Sequence, residues 1–161
     1  MVKKHRKYTV LFCVIIVGIC TQFAFMRPPE SKLIEKHYVK RIIELKKLIS
    51  SFQLVNKQQK PLSALKTKFI QCRIAYKKLA ILTEYFNPLE TKSLNSPALE
   101  RSISEAPDDI VAPEGFQAIE DLLYNNNWVP SSSKKLNQYL DKIKVILTKL
   151  ENEPDKNYRN N

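Results

Sequence analysis

One uncharged stretch near the start of the chain constrains the fold more than any other feature. Residues Tyr8–Met26 run for 19 positions without a charged side chain, and four Lys or Arg residues stand among the seven before them. At about 1.5 Å per residue such a helix reaches roughly 28 Å, close to the bilayer hydrocarbon thickness of about 30 Å. Arg27, Pro28 and Pro29 follow and end the helix. The pattern predicts a single transmembrane or signal helix over residues 1–29.

The basic residues before this stretch predict its orientation. Lys and Arg are concentrated on the cytoplasmic side of transmembrane helices, so the rest of the chain is expected in the periplasm, after one pass through the inner membrane. Three fates stay open for the segment. We favour an uncleaved anchor, because no good small-residue cleavage site follows the apolar run. Cleavage would release the domain into the periplasm, and lipidation at Cys20 would tether it differently. Nucleic acid is not an expected partner in that compartment.

Charge is unevenly distributed along the exported part of a chain whose formal net charge is +11. From Lys32 to Lys78 there are 13 basic residues against two acids, whereas Glu84 to Asp121 holds nine acids against two basic residues. The two sets could face each other or solvent across a bundle. The basic set could instead form a surface for anionic partners or lipid headgroups. The candidate interaction surface consists of Lys36, Lys40, Lys47, Arg73 and Lys77.

Apolar residues recur at three- and four-residue spacings in four segments, which predicts four helices. These cover about residues 31–55, 62–86, 114–124 and 134–150. The apolar stripe expected on the first helix consists of Leu33, Ile34, Ile42, Leu45, Leu48, Ile49 and Phe52. The predicted fold class is all-α, a small antiparallel bundle of about four helices. Such a bundle could also be half of a larger helical domain.

A segment with four prolines separates the second and third helices and lacks helical periodicity. Residues 87–113 are therefore predicted to form an irregular strap, and their apolar residues are expected to pack over the bundle. The domain is predicted to span residues 30–153, with a disordered tail at 154–161.

The side-chain inventory favours no catalytic, cofactor or metal site. His5 and His37 are the two histidines, and the predicted anchor places them on opposite sides of a membrane, where they cannot converge on one metal. No C-x-x-C-H haem attachment motif occurs, and two glycines are too few for a phosphate-binding loop. Cys72 is the lone cysteine of the exported part, either a small core residue or a thiol that pairs between chains.

The most unusual local pattern lies at residues Gly115–Glu120. Gln117 and Glu120 are three positions apart and share one side of a helix. Gly115 would allow the backbone to approach a neighbour closely. From the residues alone this is the start of a helix.

This pattern resembles the G-x-H-x-x-E signature of the imelysin-like helical proteins. The surrounding order is similar to the imelysin-like module that precedes the di-haem domain in cytochrome c peroxidases of Bacteroidetes-type bacteria. The resemblance covers about residues 32–150. It rests on four segments in sequence: Phe69–Lys78, Glu84–Phe86, Leu94–Leu99 and Pro113–Glu120.

The resemblance implies three functional hypotheses. The first is a non-catalytic, membrane-anchored extracytoplasmic module that docks a partner, such as a periplasmic redox protein. The second is the N-terminal part of a di-haem cytochrome c peroxidase, whose peroxide chemistry would lie in another domain. The third is a periplasmic metal-uptake protein. Gln117 stands where the family has a histidine, so the suspected metal-binding pair with Glu120 is degenerate, and no cofactor is expected on this chain.

Overall fold

The computed structural model describes residues 30–103, 106–125 and 128–152, which form five helices and one pair of short strands. The helices are α1 (Glu30–Lys57), α2 (Leu62–Phe86), α3 (Pro88–Asn95), α4 (Gly115–Tyr124) and α5 (Ser132–Asn152). Strands β1 (Arg101–Ile103) and β2 (Ala106–Val111) pair antiparallel between α3 and α4. The predicted all-α class is confirmed as a helical fold. The predicted anchor at 1–29 and tail at 154–161 lie outside the described residues.

The chain divides into two units, residues 1–36 and residues 37–161. The described part of the first unit is the opening of α1. The fold that positions the candidate site belongs to the second unit, between His37 and Asn152.

Two long helices contribute about half of the buried residues, at alternating steps of four and three along each helix. In α1 these are Tyr38, Ile42, Leu45, Ile49, Phe52 and Asn56, and in α2 they are Leu65, Phe69, Cys72, Tyr76, Leu79 and Thr83. This is the seven-residue repeat of helices that pack side by side at a small angle. The periodicity of the sequence therefore predicted both helices, and the bounds of α2 agree with the prediction at both ends.

Helix α5 runs antiparallel to α1. Lys46 bonds Glu151, Gln53 Nε2 donates to Asp141 Oδ1 at 2.7 Å, and further along α1 Asn56 meets Ser133. Asn56 is 2% exposed, but its amide donates to the Ser133 carbonyl at 2.9 Å and accepts from the Ser133 hydroxyl at 3.0 Å. Because both ends of this buried amide are satisfied, it fixes the end of α1 against the start of α5.

The prediction of an irregular strap at residues 87–113 is wrong. Asn87 donates its backbone N–H to the Thr83 carbonyl at 2.7 Å and closes α2, and Pro88 then occupies the first turn of α3. Proline ends one helix but suits the first turn of the next, so Asn87-Pro88 is a junction between two helices. The two strands follow, where the β-branched residues Ile110 and Val111 favour extended backbone.

Most apolar residues of this segment do not cover the bundle as predicted. Leu94 is fully buried, whereas Leu89, Leu99 and Ile110 are 73%, 69% and 66% exposed. Leu94 is the buried side chain of α3.

The apolar stripe predicted for the first helix needs one further correction. Leu33 and Ile34 are 60% and 44% exposed, and Tyr38, which the prediction omitted, is 1% exposed. The Tyr38 hydroxyl donates to Asn87 Oδ1 at 3.0 Å, so a buried aromatic ring here also satisfies its polar group.

Two acidic residues from the stretch between Glu84 and Asp121 form ion pairs with α5. Glu90 Oε1 lies 2.7 Å from Lys149 Nζ, and Glu114 Oε2 lies 3.7 Å from Lys142 Nζ. In these two ion pairs, both acids therefore pair with lysines of α5 and not with basic residues of α1 or α2.

Candidate interaction surface

Gly115 is required where α4 begins. Its φ is +77°, a conformation that residues with a side chain rarely adopt, and a Cβ there would lie 2.5 Å from the carbonyl oxygens of Leu94 and Ser93. The start of α4 therefore presses against the last turn of α3. The glycine of the recognised pattern has a packing role in this chain.

The other two residues of the pattern do not converge. Gln117 Nε2 donates to the Asn95 carbonyl at 3.1 Å, which ties α4 to the end of α3, while Glu120 is exposed. Among the described residues, no group of three His, Cys, Asp or Glu side chains is placed to hold a metal ion.

Arg73 of α2 also contacts residues of α3 and α4. Its guanidinium donates to Asn95 Oδ1 and lies 5.9 Å from the ring centres of both Tyr76 and Phe116. Those two rings stack with centroids 4.8 Å apart. Both distances lie within the roughly 6 Å over which a cation is attracted to an aromatic ring. We call Arg73, Tyr76, Asn95, Gly115, Phe116 and Gln117 the α3–α4 corner.

Two titratable groups of α2 have raised pKa values because they are buried. Burial raises the pKa of the Cys72 thiol to about 12, and nearby Lys68 only partly opposes this. Burial likewise raises the pKa of the Tyr76 hydroxyl, with Arg73 acting in the opposite direction. Cys72 is a free, buried residue, 1% exposed. The interpretation of Cys72 as a small core residue is confirmed, and a protonated, covered thiol is a poor nucleophile.

A groove of about 550 Å³ lies between α1 and α2. Leu48 and Ala75 are half-buried at its base and Ile74 is exposed at its edge. The rest of its lining is polar or charged: Arg41, Glu44, Lys47, Gln71 and Lys78. Arg41 and Glu44 pair with each other at 3.2 Å, which leaves the two lysines as the net charge of the rim.

The structure separates the five residues of the predicted interaction surface. Lys36, Lys40, Lys47 and Lys77 are exposed, and Lys47 lines the groove. Arg73 is half-buried in the α3–α4 corner and contributes its charge there.

Sequence reasoning did not identify the apolar half of the α1–α2 surface. On α1 Ile43 is 37% exposed, and on α2 Ile70, Ile74 and Ile81 are 49%, 54% and 77% exposed. Their spacing along α2 could have indicated a second apolar stripe, roughly opposite the buried one. Together with the neighbouring lysines they form the lysine–isoleucine face: Lys40, Ile43, Lys47, Ile70, Ile74, Lys77, Lys78 and Ile81.

Comparison with protein-family models, with curated proteins and with solved structures finds no match for this chain. The resemblance to an imelysin-like module therefore stays a prediction from the residues. No helix in the described part of the chain is both long and apolar enough to cross a membrane.

Proposed function

We propose that this chain is a non-catalytic helical module, anchored in the inner membrane by residues 8–26, that acts as an accessory or docking element in the periplasm. The observation that carries the proposal is the lysine–isoleucine face. It combines exposed aliphatic side chains with lysines that form no ion pair with any described residue. Exposed apolar patches rimmed by polar residues mark interaction sites.

The polar groups that could otherwise suggest chemistry are used within the fold. Gln117 and Arg73 both bond Asn95, and Cys72 is buried and protonated. Catalysis needs titratable groups that converge beside an open space. The groove between α1 and α2 offers cations and one acid that is already paired with Arg41. This arrangement supports binding over catalysis.

Two partners are compatible with the proposal. The anchor suggests the membrane surface, and the resemblance suggests a periplasmic redox protein. Either would meet the module through the lysine–isoleucine face, because an anionic partner is attracted by lysines that form no ion pair with a described residue.

Anchoring and topology are tested together in bacterial cells. A full chain fused at its C-terminus to a phosphatase that is active only outside the cytoplasm should give phosphatase activity and remain in membranes after alkaline carbonate extraction. The matched control replaces Val14 and Ile15 with arginine, which should prevent insertion because charge at mid-bilayer is costly. An inactive fusion, or a full-length chain released by carbonate, would reject the proposal.

A further inference from the structure

The lysine–isoleucine face points away from the core on both helices. Lys40, Ile43 and Lys47 follow at steps of three and four, and so do Ile70, Ile74, Lys77 and Ile81. Such steps place residues on one side of a helix. At 100° per residue, each set lies roughly opposite the buried stripe of its own helix.

The groove joins the two sets into one surface. Lys47 of α1 and Ile74 of α2 belong to the face and also line the groove, where Lys78 adds a further cation. Leu48 and Ala75 provide an apolar base beneath them. The face therefore extends across the α1–α2 pair, and Arg41, Glu44 and Gln71 also line the groove between its two halves.

The charge of the face selects an anionic occupant. Lys40, Lys47, Lys77 and Lys78 form no ion pair with a described residue, and the nearest exposed acid along α2 is Glu84, beyond Ile81. A second copy of the chain would bring lysines against lysines, and like charges in contact oppose association. A homodimer through this face is therefore disfavoured.

The composition favours a lipid surface over an acidic protein. Protein interfaces are enriched in aromatic residues and depleted in Lys, whereas this face is rich in lysine and neither it nor the lining of the groove includes an aromatic residue. Aliphatic side chains flanked by lysines are typical of helices that lie in the headgroup region of a membrane. The aliphatic groups reach the upper acyl region, and the long lysine side chains extend to the phosphates.

We propose that the lysine–isoleucine face lies on the membrane and binds anionic phospholipid headgroups. This inference rests on the proposed function, because the anchor would keep the face near the bilayer at a high effective concentration. It identifies the partner of the face as lipid phosphate, and it makes a docked acidic protein the competing outcome.

The test uses the full chain in nanodiscs of phosphatidylcholine alone or with one third phosphatidylglycerol. Two single variants, Ile74→Cys and Val145→Cys, place a thiol on the face and on the outward side of α5, at positions 54% and 69% exposed in the parent chain. Alkylation by a neutral polyethylene glycol maleimide is followed by mass spectrometry of the separate peptides, since Cys13, Cys20 and Cys72 are also present.

Position 74 should react at least about tenfold more slowly in anionic discs, and position 145 should react equally in both. Adding Lys47→Gln and Lys77→Gln to the Ile74→Cys variant should restore the rate, because each lysine near an anionic surface contributes about fivefold to binding.

Four results would contradict the anchored function or the lipid inference, and each does so in a different way. A chain that does not co-elute with the discs defeats the anchored function and the inference together. A chain that co-elutes but reacts equally at position 74 in both lipids defeats the lipid inference alone. Protection that is equally strong in both lipids rejects anionic recognition. Protection that appears only when an acidic periplasmic protein is added assigns the face to protein docking.

Discussion

The α3–α4 corner and the lysine–isoleucine face differ in how their polar groups are used. In the corner, Arg73 and Gln117 bond Asn95, and Gly115 admits a close backbone contact. On the face, lysines remain without acidic partners in the described chain and isoleucines remain exposed. The recognisable sequence pattern thus lies in the closed region, and the proposed binding surface lies in the region without a pattern. The motif residues Gly115 and Gln117 take part in packing between α3 and α4.

The largest expected difference between the two regions concerns side-chain truncation. Phe116 is fully buried and stacked on Tyr76, so Phe116→Ala should lower the free energy of unfolding by about 3–5 kcal/mol. Ile74→Ala on the exposed face should change it by less than about 0.5 kcal/mol. Denaturant titration followed by Trp128 fluorescence measures both. Similar losses for the two variants would show that the face is part of the core.

A second test separates packing from ligand binding in the recognised pattern. Gly115→Ala should cost about 2–4 kcal/mol, because it adds a Cβ against two carbonyl oxygens at a positive φ. Glu120→Ala, in the same helix but exposed, should stay within about 0.5 kcal/mol. Saturable metal binding that Glu120→Ala abolishes would contradict the packing role and revive the metal-uptake hypothesis.

Arg73 and Lys77 are neighbours on α2 that belong to different regions. Arg73→Ala should lower the free energy of unfolding by about 1–2 kcal/mol, because Asn95 Oδ1 loses its donor and two aromatic rings lose a nearby cation. Lys77→Ala should leave stability within about 0.5 kcal/mol and weaken lipid binding instead. Arg73→Lys keeps the positive charge but not the planar guanidinium group, so it should recover only part of the lost free energy of unfolding. Full recovery by lysine would mean that charge alone matters at this position.

The smallest expected effect comes from the ion pair of Glu90 and Lys149. The hydrogen bond from Lys149 holds the pKa of Glu90 below its usual value of 4.5, so the pair stabilises the fold above that pH. Glu90→Gln should cost about 0.5 kcal/mol at pH 7, since exposed pairs contribute little. The difference should shrink as the pH falls below 4.5 and Glu90 of the parent chain becomes protonated. A difference that persists at low pH would show that the amide itself perturbs the site.

The long helices could be predicted because their buried residues repeat within the sequence itself. The bounds of α2 agree at both ends, and α5 extends only two residues beyond the prediction at each end. Helix α3 was missed because eight residues with a single buried side chain show no periodicity. Strands β1 and β2 were missed because three and six residues pair through backbone contacts that no side-chain pattern records.

Only the positive charge of the lysine–isoleucine face could be predicted from the sequence. Helix position places Lys47 and Lys77 on one side of their helices, but α2 carries two apolar stripes and its sequence does not tell which of them is covered. Residues 70, 74 and 81 of α2 are apolar at helical spacing, as the core positions are, and only their exposure distinguishes them. The role of Arg73 depends on Asn95 and Phe116, which lie 22 and more positions further along the chain.

The pairing of α1 with α5 has a consequence for the order of events during synthesis. Contacts between Lys46 and Glu151 and between Asn56 and Ser133 join residues 105 and 77 positions apart. The apolar stripe of α1 therefore stays incompletely covered until almost the whole described chain has emerged. Contacts of such long range form late in folding and leave apolar surface open meanwhile. The final helix, α5, would thus be the element that completes the cover of α1.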